Sequence, residues 1–397
     1  MQRSTSGLLW LLAVAAGLTV ANLYYCQPLL ALMGAELHAS THEIGLVAVL
    51  TQAGYAAAML FIIPLGDSEE RRRLMVLAAG ASALALLLVG LAPSLWLLLA
   101  GSFVLGLTTA VPQLAVPYAA GLVPAEIRGR SVGKVMSGLL IGILLSRTVS
   151  GAVAERLGWR AIYLFASAAM LAFAVLLRVL LPRQEPQSRV GYLELLKSLP
   201  PLLRREPLLR RHGALGALAL AGFSTFWTTL VFLLATPPHH SGAGMAGLFG
   251  LVGVAGALVA PLSGRLADRH GARRVNLYAL LVVLASWIVF ATLWRSLWGL
   301  GLGVILLDLG VQANHISNQT RVLGLSAPLR NRFNAIYMVM YFTGASLGSL
   351  FGASAFSAFG WQGVTTLGLA LSAAALLAWR FVAPTEAATA DDAVSTS

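Results

Sequence analysis

The sequence predicts an all-α membrane protein with twelve transmembrane helices, arranged as two six-helix halves related by pseudo-symmetry. Composition, long apolar runs and an internal repeat carry this prediction. The 397 residues are 58% apolar and 11% charged, whereas typical soluble domains are about 45–50% apolar and about 25% charged. So few charges argue against a soluble enzyme or a disordered chain. The lone cysteine, Cys26, excludes an intramolecular disulfide and a cysteine-rich zinc site.

The apolar residues fall into runs long enough to cross a bilayer. A spanning helix needs about 20 apolar residues to cross about 30 Å of hydrocarbon. Because lipid cannot satisfy backbone polar groups, each span should be helical. Charged and turn-rich breaks divide the chain into twelve predicted spans, at residues 8–32, 43–65, 74–92, 95–123, 133–154, 160–181, 212–235, 243–264, 275–293, 296–320, 334–356 and 362–382.

The basic residues predict the orientation of these spans. Of the 27 Lys and Arg, 22 fall on the side of the N-terminus, three on the other side and two inside spans. Basic residues concentrate on the cytoplasmic side of membrane proteins, so both termini are predicted to be cytoplasmic. The net charge of +12 is thereby explained by topology, and no nucleic-acid partner is expected.

An internal repeat of about 200 residues relates the two halves. One coincidence would mean little, but several landmarks recur at nearly one offset. They are Arg-Gly-Arg at 128–130 and Arg-Asn-Arg at 330–332, Gly-Trp at 158–159 and 360–361, and Asp67 and Asp268.

The repeat sets the predicted domain boundaries. Residues 1–181 form the N-terminal six-helix half, and residues 212–383 form the C-terminal half. The basic, proline-containing segment 182–211 is predicted to be a cytoplasmic linker whose amphipathic stretch lies on lipid headgroups, with a partner-binding role as the alternative. Residues 384–397 are small and polar, and a disordered cytoplasmic tail is predicted.

Two loops carry a resemblance to a known family. Residues 264–274 read Gly-Arg-Leu-Ala-Asp-Arg-His-Gly-Ala-Arg-Arg between spans 8 and 9, and a degraded copy, Pro-Leu-Gly-Asp-Ser-Glu-Glu-Arg-Arg-Arg, occupies 64–73 between spans 2 and 3. This pattern resembles the loop signature of the major facilitator superfamily, over residues 1 to about 382. The resemblance implies a transporter with one central cavity between two halves that rock to alternate access.

The same resemblance implies a role for the loop residues. In such proteins the loop Asp and Arg residues bridge helix ends on the cytoplasmic side and stabilise the outward-open state; topology-setting charge is the alternative reading. Ile63 and Glu70 stand where glycines are usual, so the first copy departs from the pattern. The implied conformational-switch residues are Asp67, Arg71, Arg72, Gly264, Asp268, Arg269, Gly271, Arg273 and Arg274.

The wider resemblance is to bacterial efflux carriers for drugs and metabolites that are driven by protons, and it implies the bacterial inner membrane. It includes the segment Asn-Leu-Tyr-Tyr-Cys-Gln-Pro at 22–28 in the first span. Two features of those antiporters are missing. Ser102 stands where helix 4 often carries Arg, and Arg147-Thr-Val-Ser150 replaces the Gly-Pro pair of helix 5. A coupling mechanism that uses the helix 4 Arg therefore does not transfer.

Three ionisable residues lie well inside the predicted spans: Arg147, Asp308 and His315. Such groups cost several kcal/mol in lipid and usually mark function. Asp308 is the predicted proton carrier, with a structural acid locked to a partner as the alternative. Arg147 lies about 13 residues, or roughly 20 Å, into its span, a depth within side-chain reach of Asp308. His315 is either a relay or ligand contact or a packing residue.

Other polar and aromatic residues are predicted to face the cavity by helical spacing. Gln312 and Gln319 share one face of helix 10 with Asp308 and His315. Aromatic walls with few charges favour an uncharged or weakly charged, moderately apolar solute, with packing as the alternative for each aromatic ring. The remaining candidates are Asn22, Tyr25, Thr109, Gln113, Ser224, Trp227, Thr228, Tyr337 and Tyr341.

These observations predict alternating-access, proton-driven export of small, moderately apolar organic molecules. A proton symporter that imports a metabolite is the alternative. A remote alternative is an intramembrane enzyme with Asp308 and His315 as acid and base, which no Ser or metal motif supports. Gly129–Lys134 lacks the Ser or Thr of a phosphate loop, so no nucleotide is expected. No cofactor or metal is expected; the partners are a small solute, protons and the lipid bilayer, and the carrier is expected to be a monomer.

Overall fold

The computed structural model describes residues 5–184, 191–257, 272–326 and 329–381. Regular structure in these residues consists of α-helices and two short 3-10 helices. The N-terminal half contains nine helices, which are α1 (Thr5–Ala21), α2 (Leu30–Glu36), α3 (Thr41–Phe61), α4 (Leu65–Ser68), α5 (Arg71–Gly90), α6 (Leu95–Thr108), α7 (Val111–Gly121), α8 (Arg128–Leu157) and α9 (Trp159–Leu180).

The linker and the C-terminal half follow the same all-helical plan. The predicted amphipathic stretch of the linker is helical, with Leu195 and Leu199 buried and the Tyr192 hydroxyl donating to the Phe61 carbonyl at 2.8 Å. Residues 185–190 of the linker and the predicted tail 384–397 lie outside the described residues. The helices are α10 (Tyr192–Arg205), α11 (Pro207–Ala235), α12 (Ala243–Ala257), α13 (Ala272–Thr292), α14 (Leu297–Gly324) and α15 (Arg330–Arg380).

The described helices account for twelve crossings. Nine helical segments among the described residues are long and apolar enough to span a membrane. One of them, α15, has 51 residues and changes direction at Gly360, so it comprises two spans. Thr5–Ala21 and the start of α12 supply two shorter apolar helices. The predicted fold class, twelve helices in two six-helix halves, is confirmed.

Two predicted spans are broken near their middle. The first contains α1 and α2, separated by turns at 22–26 and a 3-10 helix at Gln27–Leu29. Pro28 has no backbone N–H to continue an α-helix, which explains a break at this point. The fourth span is likewise divided into α6 and α7, and Pro112 lies in the first turn of the second piece. Side-chain directions therefore shift across each break.

The same turn ends a helix in each half of the repeat. Gly158 has φ 81° and Gly360 has φ 59°, a backbone region that residues with a Cβ rarely adopt. Both glycines precede a tryptophan, and they lie 202 residues apart. The repeat read from the sequence is thus also a repeat of backbone geometry.

Two glycine ladders, around Gly142 on α8 and around Gly344 on α15, allow helices of the same half to pack closely together. An added Cβ at Gly142 would meet the Gly17 backbone, and one at Gly344 would meet the Ala217 backbone. These contacts join α1 to α8 and α11 to α15. The close approaches at these positions therefore lie inside each half.

The two halves contact each other at the predicted outer face, which is the end of the bundle furthest from the start of α1. An added Cβ at Gly151 would meet the Ala243 backbone, whereas no described residue lies within 4 Å of that position at Gly133, nearer the other end of α8. The bundle is therefore closed at the predicted outer face. Four hydrogen bonds between described residues cross between the halves there. His42 Nδ1 lies 3.1 Å from the Ser354 hydroxyl, and the Ser346 hydroxyl donates to the Val49 carbonyl at 3.0 Å. The Thr148 hydroxyl donates to the Gly247 carbonyl, and the Gly244 N–H donates to the Glu155 carboxylate, both at 2.8 Å.

Candidate functional site

Arg147 lies at the centre of the bundle and is 2% exposed. Its Nε–H donates to Gln27 Oε1 at 2.6 Å, in the 3-10 segment that interrupts the first span. Its guanidinium carbon lies 4.0 Å from the ring centroid of Trp227, 4.8 Å from that of Tyr24 and 5.6 Å from that of Phe223. Cation–π contacts of this kind stabilise a buried cation, but they supply no hydrogen-bond acceptor.

One guanidinium nitrogen of Arg147, Nη2, is buried and has no hydrogen-bond partner among the described residues. Buried polar atoms are nearly always hydrogen-bonded, and an unsatisfied charged donor is costly. The centre of the protein therefore contains an unused, positively charged donor.

Asp308 lies close to this centre on α14 and is 6% exposed. It interacts with Arg147 through space, yet no ion pair within 4.0 Å joins these two described residues. The depth argument from the sequence placed the two residues within reach of each other, and the structure places them in electrostatic contact without direct pairing.

Trp227 contacts both charged groups. Its ring face covers Arg147, and its indole N–H lies near the Asp308 carboxylate without reaching hydrogen-bond geometry. The carboxylate fits against Gly253 of α12, where a Cβ would collide with Oδ2. Trp227, predicted from its helical spacing, thus lies at the centre of the site.

The polar face of α14 continues from Asp308 through Gln312 to His315 and Gln319. These last three side chains are half-buried. His315 Nδ1 lies 3.0 Å from the Tyr337 hydroxyl, and its ring centroid lies 4.4 Å from that of Tyr341. The predicted His315, Tyr337 and Tyr341 therefore form one aromatic cluster between α14 and α15.

The remaining polar candidates bond mainly to protein. Gln319 Nε2 donates to Asn334 at 3.0 Å, and Gln113 Nε2 donates to the Tyr55 hydroxyl at 3.3 Å. Thr228 bonds to Ser349 within the C-terminal half at 2.9 Å, and Thr109 bonds to the Leu105 carbonyl of its own helix at 2.7 Å. Ser224 is buried, and it precedes Trp227 by about one turn of α11.

The first span presents different residues from those predicted. Tyr25 packs edge-on against Tyr163 of α9, with 6.4 Å between ring centroids, while Tyr24 and Gln27 reach Arg147. Helical spacing selected Asn22 and Tyr25, but the helix ends at Ala21. The sequence also gave no indication that Phe223 lies beside Arg147. The proline at 28, inside an apolar span, was the signal that regular spacing would fail. Asn22 is buried, and its amide has no partner among the described residues.

The switch residues are described in part. Arg72 donates to the Arg178 carbonyl at the end of α9 at 2.7 Å. Arg273, 201 residues later, stacks on Trp379 near the end of α15 at 4.6 Å. Each arginine thus joins the third and sixth spans of its own half. Arg71 is buried and Arg274 exposed; the Asp67 side chain, Gly264, Asp268, Arg269 and Gly271 lie outside the described residues.

Twelve apolar helices in two repeated halves, closed at one end over buried charged groups, are the architecture of a membrane carrier. The family model of the Major Facilitator Superfamily matches residues 9–259 and 213–395. The chain belongs to this superfamily and is a transporter, not an enzyme. It is a multi-pass membrane protein that acts on a small-molecule substrate.

Relatives and solved structures agree with this assignment. The chain is 40% identical to the uncharacterized transporter YgaY of Escherichia coli O157:H7 over 372 residues, 94% of each chain. It is 26% identical over 345 residues to a probable sugar efflux transporter of Helicobacter acinonychis, covering 86% of each chain. A bacterial homologue of the lysosomal transporter Spinster, solved in an inward-facing, unoccupied conformation, superposes with a TM-score of 0.76 at 15% identity, over 96% of this chain and 98% of that one.

Proposed function

We propose that this transporter is proton-coupled, carries small organic molecules and uses Asp308 as its proton-carrying group. The observation that carries the proposal is a buried carboxylate at the centre of the bundle that forms no ion pair with any described residue. A structural acid would be locked to a cation, because burying a lone charge is unfavourable. Asp308 and Arg147 are both described, and no ion pair within 4.0 Å joins them, which supports a group free to gain and lose a proton.

Protonation of Asp308 would change the charge balance of the site. The neutral acid no longer attracts Arg147, so the two protonation states favour different arrangements of the side chains around Trp227. Because linkage is reciprocal, a solute that binds one protonation state better also shifts the protonation of Asp308. His315, on the same helix face, is proposed as a proton relay.

Two directions of coupling are compatible with this chemistry. Export in exchange for protons is supported by the resemblance to efflux carriers and by the efflux function in the name of the Helicobacter relative. Import together with a proton is the second candidate, and the unpartnered Arg147 nitrogen favours it. An anion bound there would favour the protonated form of Asp308, so that solute and proton would bind together.

The remaining assignments follow from the sequence. We infer a monomer in the bacterial inner membrane with both termini in the cytoplasm, as the distribution of basic residues predicts. The structure is then closed towards the outside. The loop residues around Asp67 and Asp268 are proposed to bridge helix ends on the cytoplasmic side and to stabilise the opposite, outward-open state.

Transport into proteoliposomes with an imposed pH gradient tests the proposal. A panel of labelled organic solutes is offered with gradients of either sign, for the wild type and for Asp308→Asn. We expect accumulation that reverses with the gradient in the wild type and is lost in the variant. Wild-type transport that does not respond to the pH gradient, or gradient-driven transport that persists in the variant, would contradict coupling through Asp308. The sign of the gradient that drives accumulation distinguishes export from import.

A further inference from the structure

We propose that the solute carries a carboxylate or a similar planar anionic group that binds the free edge of Arg147, and that its apolar body packs on the aromatic rings around it. The inference rests on the proposed function because it places the solute at the same site. It replaces the uncharged or weakly charged solute expected from composition with an organic anion.

The unpartnered Nη2 of Arg147 is the first support. It is buried on a side chain that is 2% exposed, while Nε of the same group is already bonded to Gln27. A guanidinium presents its donors in a fixed planar fork that matches a carboxylate or phosphate. With one edge held by the protein, the open edge is oriented before the ligand arrives, which lowers the entropic cost of binding.

The charge of the site favours an anion over a neutral acceptor. Asp308 attracts Arg147 through space but makes no ion pair with it, so the guanidinium has no anionic partner within 4.0 Å among the described residues. In a low-dielectric centre a full negative charge is attracted far more strongly than a neutral carbonyl or hydroxyl oxygen. An anionic group would supply both the missing acceptor and the missing charge.

The surroundings of Arg147 indicate the rest of the solute. Tyr24, Phe223 and Trp227 place three aromatic rings around the guanidinium. Phe223 is half-buried, unlike Tyr24 and Trp227, and so leaves ring surface open for a solute. A site of one charged group and several rings suits an amphipathic anion with an aromatic or branched apolar body.

Matched carboxylate and amide probes test this inference on the purified full-length carrier. Benzoate is compared with benzamide, and indole-3-acetate with indole-3-acetamide, by binding calorimetry. The members of each pair share size and ring but differ in charge. We expect the carboxylate to bind at least tenfold more tightly in each pair. Equal affinity, tighter binding of the amides, or no binding by either carboxylate would overturn the proposal.

Gln27→Glu is the variant that tests the assignment to Arg147 most directly. It places a carboxylate of the protein itself beside Arg147, so it should abolish the preference for carboxylate probes while leaving the midpoint of thermal unfolding unchanged or higher. Loss of binding would then not reflect misfolding. Arg147→Lys keeps the charge but not the fork, and we expect it to reduce the preference severalfold.

Arg156→Gln is the matched control because Arg156 is an exposed arginine on the same helix; its removal should leave the preference intact. Retention of the preference in Gln27→Glu would overturn the assignment to Arg147. The two proposals can fail separately. If the carrier prefers carboxylates but its transport does not depend on the pH gradient, proton coupling alone is refuted. If the gradient drives transport of amides and the carrier does not prefer carboxylates, the anion site alone is refuted.

Discussion

The guanidinium of Arg147 lies over the indole of Trp227, with 4.0 Å from Cζ to the ring centroid. The stacked pair joins α8 of one half to α11 of the other at the centre of the bundle. The cation therefore rests on an aromatic face and on Gln27, and its charge is left available to Asp308 or to a solute.

Asp308→Asn fixes the site in a form that mimics the protonated acid. We expect it to abolish accumulation driven by a pH gradient while solute binding persists and becomes nearly independent of pH. Transport assays in proteoliposomes and binding measured from pH 5 to 9 check both parts. Gradient-driven accumulation by the variant would move the proton-carrying role to His315, the other ionisable group on the same face of α14.

A pair of double-mutant cycles tests which group holds Arg147. Gln27 bonds to it directly and Asp308 does not. The cycle Gln27→Ala with Arg147→Ala should therefore give a coupling of about 1.5–3 kcal/mol, as for hydrogen bonds to charged groups. The cycle of Arg147→Ala with Asp308→Asn should be closer to additive. Unfolding in detergent supplies both values, and the reverse ranking would assign Arg147 to Asp308.

Glu155→Gln weakens the closure of the outer end. The Glu155 carboxylate accepts from the Gly244 N–H at the start of α12, across the boundary between the halves. A carboxylate at a helix N-terminus contributes about 0.3–1 kcal/mol, so its neutralisation should increase the outward-open population about two- to fivefold. Cysteine labelling of a site such as Met245 reports that population. Arg156→Gln removes a neighbouring charge that makes no such contact, and an equal effect there would point to charge alone.

Two glycines of α8 should respond in opposite ways to substitution by alanine. At Gly142 the new methyl would collide with the Gly17 backbone, which should destabilise the fold by about 1–3 kcal/mol or more. At Gly133 the described part of the chain places no atom within 4 Å of the new methyl, so the better helix propensity of alanine should stabilise the fold by about 0.5–1 kcal/mol. Thermal unfolding checks the pair, and a similar shift for both would contradict the close approach of α1 and α8.

Asp268→Asn tests the switch role that the loop resemblance implies. We expect lower transport at near-normal expression and less outward-open protein, because a bridge between helix ends is lost and the balance shifts by about 1–3 kcal/mol. Accessibility labelling at the outer face measures the shift. An unchanged labelling pattern would leave Asp268 with a role in topology alone.

The sequence determined the fold class, the repeat and the identity of the central ionisable groups. Each follows from local constraints: hydrocarbon requires about 20 apolar residues per span, a duplicated half repeats its turn glycines, and charges survive in lipid only where function or pairing compensates them. Arg147, Asp308, His315 and Trp227 could therefore be selected from their position in the spans, and the structure brings Arg147, Asp308 and Trp227 together.

Only the tertiary structure decided which neighbours those groups have. The first span breaks at Ala21 and resumes as α-helix at Leu30, so Tyr24 and Gln27 face Arg147 where regular helical spacing selected Asn22 and Tyr25. Whether Asp308 pairs with Arg147 depends on distances across α8, α11 and α14, and helical spacing fixes directions within one helix but not separations between helices. The same holds for the glycine ladders, because a small residue permits close approach and the packing of the bundle selects the helix that approaches.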